Sequence, residues 1–135
     1  MLAYFDAKDG SPKVVIKIKG TKRSFKEIPA LLDTGHNGSL SLSMLDLIEI
    51  GAKLESFGPV GLADGNTVTV YYFSVTVEID GKTKKVQASM INNPNVSEAI
   101  VGLELLSPYI VLFNFDKKTV YCTTEEELKK SNKSK

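Results

Sequence analysis

ALLDTGHNGSLSL, residues 30–42, is an apolar run that brings a single carboxylate, Asp33, to a turn formed by Thr34 and Gly35. Glycine at position 35 lets the backbone fold tightly around the carboxylate. Leucines then alternate with polar residues, which indicates that the chain leaves as a second extended segment. A carboxylate carried by a buried strand is costly unless it is paired, catalytic or bound to a metal. The stretch therefore predicts a buried strand, a loop that holds Asp33 and a further strand.

Three interpretations of this stretch differ in the role they give to Asp33. Asp, Thr, Gly, Asn and Ser are common turn residues, so an ordinary surface turn is one of them. A calcium loop is the second, but it needs an oxygen ligand at its third position and a glutamate at its twelfth, where this chain has Gly35 and Met44. We therefore reject calcium. The third is one half of an aspartic protease site, which depends on the rest of the chain.

The composition is that of one ordinary globular domain. The chain has 135 residues, of which 42% are apolar and 24% charged, and its formal net charge is +1. This near-neutral charge gives no indication of a basic surface for binding nucleic acid. No apolar run is long enough to predict a membrane span. The single cysteine, Cys122, excludes an internal disulfide, and residues 1–6 lack the pattern of a signal peptide. These features predict a cytoplasmic protein.

Residue patterns in the first two-thirds of the chain predict mainly strands. Residues 13–19 and 24–32 form two strands joined by a turn, and Pro29 indicates an edge or a bulge within the second. Residues 67–79 give the longest strand signal, and their apolar positions change parity halfway along, which predicts a bulge or a bend. Asp80-Gly81 predicts a tight hairpin into a strand over residues 82–91.

Helical patterns are short and few. Residues 43–50 have apolar positions at helical spacing, with Ser43 as a candidate N-cap and a glycine at the end. Residues 52–66 contain many turn residues and predict a loop-rich segment. Residues 103–106 predict a second short helix.

The C-terminal part predicts two more strands and a polar tail. Residues 110–115 read as a buried strand and residues 119–122 as a last strand. The segment after them is charged and predicts a frayed helix or disorder. We therefore divide the chain into a leader (1–12), one folded domain (13–122) and a charged, flexible tail (123–135).

Three landmarks, in this order, resemble the retropepsin-like aspartic proteases, the single-lobe relatives of the two-lobed pepsins. LLDTG, residues 31–35, resembles the catalytic turn of that family. GLADG, residues 61–65, with the long hairpin around it, resembles the flap. AIVGLELL, residues 99–106, resembles the second signature, in which two apolar residues and a glycine lead into a short helix. The resemblance covers about residues 13–122.

The resemblance implies an all-β fold, a closed acid-protease barrel with one or two short helices. It implies a homodimer in which Asp33, Thr34 and Gly35 form the catalytic turn. The late signature would run beside that turn, so that Val101 and Gly102 support the site.

Substrate contacts are also implied by the resemblance. Ala63, Asp64 and Gly65 would lie at the flap and bind substrate, although an ordinary hairpin loop explains them as well. His36 replaces the small residue that usually follows Asp-Thr-Gly in the family. It is interpreted either as a solvent-facing or hydrogen-bonded loop residue, or as a substrate-binding residue of the cleft that perturbs the pair of catalytic carboxylates or narrows the pocket.

The resulting prediction is an aspartic endopeptidase that acts on an extended peptide or protein substrate. Because the chain has one Asp-Thr-Gly, the second carboxylate must be Asp33 of another copy. No metal or cofactor is expected, since His36 is the only imidazole and the only thiol is far from it in sequence. The alternative is a non-catalytic retropepsin-like module for dimerisation or peptide binding. A small β-barrel binding protein unrelated to proteases is a third possibility.

Overall fold

Strands dominate the computed structural model, which describes residues 3–93 and 95–133. In that part of the chain the strands are β1 (Ala3–Phe5), β2 (Pro12–Lys19), β3 (Lys26–Leu32), β4 (Leu40–Leu42), β5 (Lys53–Gly61), β6 (Thr67–Ile79), β7 (Lys82–Met90), β8 (Ala99–Val101), β9 (Ile110–Asn114) and β10 (Thr119–Thr123). The helices are α1 (Met44–Ile50), α2 (Leu103–Leu106) and α3 (Glu125–Lys133).

Six strands close into a barrel in the order β2-β3-β8-β4-β7-β6, because β6 also pairs with β2. The β3–β8 and β4–β7 pairs are parallel and the other pairs of the ring are antiparallel. β1 extends the sheet along β2, and β5 extends it along β6. The prediction of an all-β fold, a closed barrel with one or two short helices, is confirmed, with α1 and α2 as the helices of the domain.

The barrel is filled by the inward side chains of its strands. On β2, Val14, Ile16 and Ile18 are at most 1% exposed, while Lys17 between them is exposed. Val75 and Val77 of β6 face the same interior. This period of two is the pattern from which the strands were predicted.

The parity change predicted in the longest strand is present, although β6 itself is regular. Along β6 the more buried positions are even-numbered up to Tyr72 and odd-numbered from Phe73 onward. Opposite this point the β5–β6 register shifts between Leu54 and Ser56. The bulge is therefore on β5 and not, as predicted, within β6, which pairs with β7 in unbroken register.

The loop-rich prediction for residues 52–66 is wrong over most of its length. β5 (Lys53–Gly61) pairs with β6, although nearly all its residues are exposed. An edge strand on the outside of a barrel is held by backbone hydrogen bonds and needs no apolar alternation, so its side chains gave no signal. Pro29 behaves as predicted, since β3 pairs with β8 only from Ala30 onward and has one partner at the proline.

The strands β9 and β10 form a separate two-stranded sheet. The prediction that residues 110–115 are buried is wrong, because Leu112 and Phe115 are 58% and 65% exposed. β9 has apolar residues on both faces, and only one face packs on the domain. The charged segment after β10 forms helix α3. At the other end of the chain, β1 lies within the predicted leader and pairs with β2.

The two helices predicted within the domain form at the expected places. Ser43 caps α1 by accepting a hydrogen bond from the Asp46 amide at 3.1 Å, and Gly51 ends it in the left-handed conformation with φ of 64°. Hairpin residues Asp80 and Gly81 both have positive φ, as their turn type requires. Among the described residues no helix has the length and apolarity needed to cross a membrane.

Candidate active site

Asp33 is positioned by the end of β3 and by its parallel neighbour β8. Leu32, the last residue of β3, lies opposite Val101 in the β3–β8 ladder. The next backbone amide, that of Asp33, donates to the Val101 carbonyl at 3.0 Å. Val101 itself is fully buried. The carboxylate therefore starts from a backbone fixed by the barrel.

The turn after β3 folds around the Asp33 side chain. The Gly35 amide donates to Asp33 Oδ1 at 2.9 Å, and the His36 amide donates to the Asp33 carbonyl at 3.2 Å. A Cβ at position 35 would lie 3.2 Å from Asp33 Oδ1, so glycine keeps this approach free. Asp33 is half-buried, and Thr34 and Gly35 are exposed. One carboxylate oxygen is thus oriented by the backbone at a site that remains open.

The loop that follows Asp33 is joined to the start of α2. The Gly102 amide donates to the Ser39 carbonyl at 3.0 Å, and the Leu103 amide donates to the His36 carbonyl at 2.8 Å. A Cβ at Gly102 would lie 2.6 Å from the His36 carbonyl oxygen and closer still to that of Gly38. No side chain fits there. The structure therefore brings Val101 and Gly102 into direct contact with the loop of Asp33.

His36 faces two serines, of which Ser41 is buried and Ser89 is half-buried. Its Nε2 lies 3.2 Å from Ser41 Oγ, which is 2.6 Å from Ser89 Oγ. Ser41 is 6% exposed because β4 is covered on both faces. His36 is therefore a hydrogen-bonded loop residue.

A cavity of about 590 Å³ begins at this loop and runs along β6 and β7; we call it the loop cavity. His36 and Leu40 form its wall on the loop side. Val70 and Tyr72 of β6 and Ser89 of β7 form the opposite wall. Charged residues at positions 84, 85 and 104 also border it. A cavity lined by both apolar and polar residues can hold a peptide segment.

Ala63, Asp64 and Gly65 lie at the tip of the β5–β6 hairpin. The Asn66 amide donates to Asp64 Oδ1 at 2.9 Å, and its side-chain amide donates to Oδ2 at 3.0 Å. These hydrogen bonds hold the pKa of Asp64 below its ordinary value. Gly65 has φ of 86°, which favours glycine. Within the described part of the chain, no hydrogen bond joins the tip to the loop of Asp33.

Sequence reasoning missed two polar residues of the site, Ser41 and Ser89. Ser41 alternates with leucines, a pattern typical of a strand with one solvated face. β4 instead lies inside the sheet, between β8 and β7, so its polar positions are buried as well. Ser89 is on β7 in the same parallel pair, directly opposite Ser41. Only the pairing of the strands in three dimensions reveals that Ser41 contacts both His36 and Ser89.

Comparison with known proteins finds a similar fold but no protein of similar sequence. No family model matches the chain, and no curated protein matches its sequence. The structure matches EIAV protease complexed with the inhibitor HBY-793, with a TM-score of 0.53 and 19% identity. The match covers 76% of this chain and 90% of that retropepsin. The chain therefore has a retropepsin-like fold.

Proposed function

We propose that this protein is an aspartic endopeptidase whose catalytic dyad consists of Asp33 from each of two identical chains. The observation that carries the proposal is the position of Asp33. Its carboxylate lies in a tight turn, oriented by the Gly35 amide and supported through Val101, in a barrel of retropepsin-like fold. The loop cavity lies next to this turn.

The chemistry follows from placing two carboxyl groups side by side. Two carboxyl groups in contact cannot both ionise, because their negative charges repel each other, so the pair holds one proton between them. The ionised group takes a proton from a water molecule, whose oxygen attacks the peptide carbonyl carbon, and the protonated group supports the carbonyl oxygen. The amide nitrogen then takes up the proton that came from water, the carbon–nitrogen bond breaks, and an amine and a carboxylic acid leave while the pair again holds one proton. Neither Asp33 has a fixed role, because the pair titrates as a unit.

A second copy is needed because the chain has one Asp-Thr-Gly. A two-fold axis beside the turn would bring the two Asp33 carboxylates together, with Thr34 and Gly35 at the contact between the loops. Large apolar side chains are also available for association on the β9–β10 sheet. Leu112 and Tyr121 lie opposite each other there and are 58% and 70% exposed.

The substrate that fits this arrangement is an extended peptide or protein segment. The β5–β6 hairpin would close over it with Ala63, Asp64 and Gly65, pair with its backbone and exclude water. His36 would contact it at the end of the loop cavity. The proposed reaction needs no metal or cofactor, and a cytoplasmic location remains a prediction.

The test is cleavage of a diverse peptide mixture from about pH 3 to about pH 7, followed by mass spectrometry. Wild type is expected to yield products that Asp33→Asn does not. The asparagine retains an oxygen that can accept the Gly35 hydrogen bond, so the variant should stay folded. The matched control, Asp116→Asn, removes an exposed carboxylate in the β9–β10 turn and should cleave like wild type.

The same assay also tests the role of His36 and distinguishes an enzyme from a non-catalytic module. His36→Ala is expected to alter the pH–activity profile, and an unchanged profile would show that His36 does not influence the dyad. A wild-type protein that is folded and dimeric but inert over the whole range would contradict the enzyme. It would favour the alternative, a non-catalytic retropepsin-like module.

A further inference from the structure

A second cavity, of about 430 Å³, lies on β6 where that strand changes partners. β5 follows one edge of β6 until Lys53 lies opposite Ser74, and β2 takes over that edge with Lys19 opposite Thr76. β7 occupies the other edge and places Lys85 opposite Thr76. We call these five residues the strand fork.

All five side chains of the strand fork share the outer face of the barrel. Residues paired directly across strands project to the same face, and so do residues two apart on one strand. Val75, between Ser74 and Thr76 on β6, is 1% exposed and faces the interior. The fork therefore places three lysines around two hydroxyl groups on one side of the sheet.

The three lysines have no matching carboxylates. Within the described part of the chain, no acidic side chain forms an ion pair with Lys19, Lys53 or Lys85. Glu55 is the acidic residue that lines this cavity, so the fork keeps a net positive charge. An anion there would relieve the repulsion between the ammonium groups.

The side chain of Lys19 is positioned by an aromatic ring. Its Nζ lies 5.2 Å from the ring centroid of Phe25, a cation–π contact. The hydroxyl groups of Ser74 and Thr76 line the same cavity and can donate hydrogen bonds to an anion. Ammonium and hydroxyl donors together suit a carboxylate or a phosphate group.

The strand fork is continuous with the loop cavity. Lys85 lines both cavities, and Gln87 and Ser89 continue from it along the same face of β7. Lys85 and Ser89 are about 13 Å apart along an ideal strand. An extended polypeptide covers that distance in about four residues.

We propose that the strand fork binds a carboxylate or phosphate group carried by the polypeptide that occupies the loop cavity. The anionic residue would lie about four positions from the residue beside Ser89. This inference rests on the proposed function, because it takes the occupant of the loop cavity to be a polypeptide. It adds a substrate class, namely peptides with an acidic or phosphorylated residue at a fixed distance from the cavity.

The experiment is affinity selection from a random peptide library, part of it containing phosphoserine, on immobilised Asp33→Asn protein, which should not cut what it binds. We expect enrichment of acidic or phosphorylated residues at one fixed distance from a second selected position. Lys19→Gln and Lys53→Gln change lysines that line the fork but not the loop cavity; introduced together into this protein, they should weaken the affinity for the enriched acidic peptides about three- to tenfold. The affinity for neutral versions of these peptides should stay the same.

A matched control removes the same charge elsewhere. Lys117→Gln with Lys130→Gln changes exposed lysines far along the chain and should leave the acidic preference intact. Equal loss in both double variants would overturn the proposal, as would the absence of any bound peptide.

A second binding measurement uses inorganic phosphate alone in place of peptides. If phosphate alone binds the fork tightly while acidic peptides show no preference, the anion is a free one and the polypeptide assignment is wrong. Because every readout is binding, a protein that selects acidic peptides but cleaves none would contradict the proposed catalysis while supporting the fork.

Discussion

Gly102 lies where two segments of the chain approach more closely than any side chain allows. The Gly38 and His36 carbonyl oxygens occupy the space that its Cβ would need, and its own amide donates to Ser39. These two oxygens belong to the backbone, so they cannot rotate away as the nearby His36 ring could. This residue therefore links the geometry of α2 to that of the Asp33 loop.

Gly102→Ala is expected to destabilise the protein by about 1–3 kcal/mol or more, because the loop and α2 must separate to admit a methyl group. Urea denaturation of both proteins measures the change. Gly58→Ala is the matched control, since a Cβ there meets nothing within 4 Å. Equal stability of the two variants would show that the loop yields without strain.

Lys13 is another residue whose environment the sequence pattern did not reveal. It is 9% exposed, and its Nζ lies 2.7 Å from Asp6, 2.9 Å from Glu98 and 3.4 Å from Asp9. The hydrogen bond from Lys13 holds the pKa of Asp6 below its ordinary value. The bonds to Asp6 and Glu98 raise the pKa of Lys13. This cluster connects the turn after β1 to the barrel.

Lys13→Met should be less stable than wild type at neutral pH, and the difference should shrink as the pH falls. A carboxylate whose folded pKa is lowered stabilises the protein above its unfolded pKa, and that stability is lost as the pH drops through the folded pKa. Free energies of unfolding from about pH 5 down to about pH 2 measure the effect. Lys8→Met, in the same turn, should follow the wild-type curve, and a pH-independent difference for Lys13→Met would contradict the account.

Among the elements, the β5–β6 hairpin shows what local sequence could and could not predict. Its long strand β6 was predicted from the apolar run, but the bulge lies on β5 and not within β6, where the parity change had placed it. β5 was not predicted, because it is an exposed edge held by backbone pairing. The turn residues at the tip were assigned to the flap through a family resemblance. Their hydrogen bonds around Asp64 gave the tip a defined shape.

Gly65→Ala tests whether this tip acts on substrate. With φ of 86° an alanine is strained by about 1–2 kcal/mol, although a Cβ there meets no other atom within 4 Å. If the tip closes over substrate, kcat/KM should fall about tenfold while the free energy of unfolding falls by no more than this strain. Gly61→Ala is the matched control at an open position with an ordinary φ. The same kcat/KM in both variants would exclude a role for the tip conformation.

For the whole molecule, the closed barrel follows from pairings between distant segments. The alternation on β2 and β6 predicted both strands, but their contact joins Lys19 to Thr76, which no local pattern specifies. The closed ring was predicted from the three ordered landmarks and their resemblance to a family. The His36–Ser41–Ser89 contacts and the strand fork depend on these long-range registers, so they could be found only in the structure.

The central claim is that one active site needs Asp33 from two chains, and mixing wild type with Asp33→Asn tests it most directly. After the chains have exchanged, peptidase activity is measured at constant total protein while the wild-type fraction varies. A shared dyad predicts that activity follows the square of that fraction, so an equal mixture retains about one quarter of the wild-type activity. Activity proportional to the wild-type fraction would contradict the claim, because each chain would then carry a complete site.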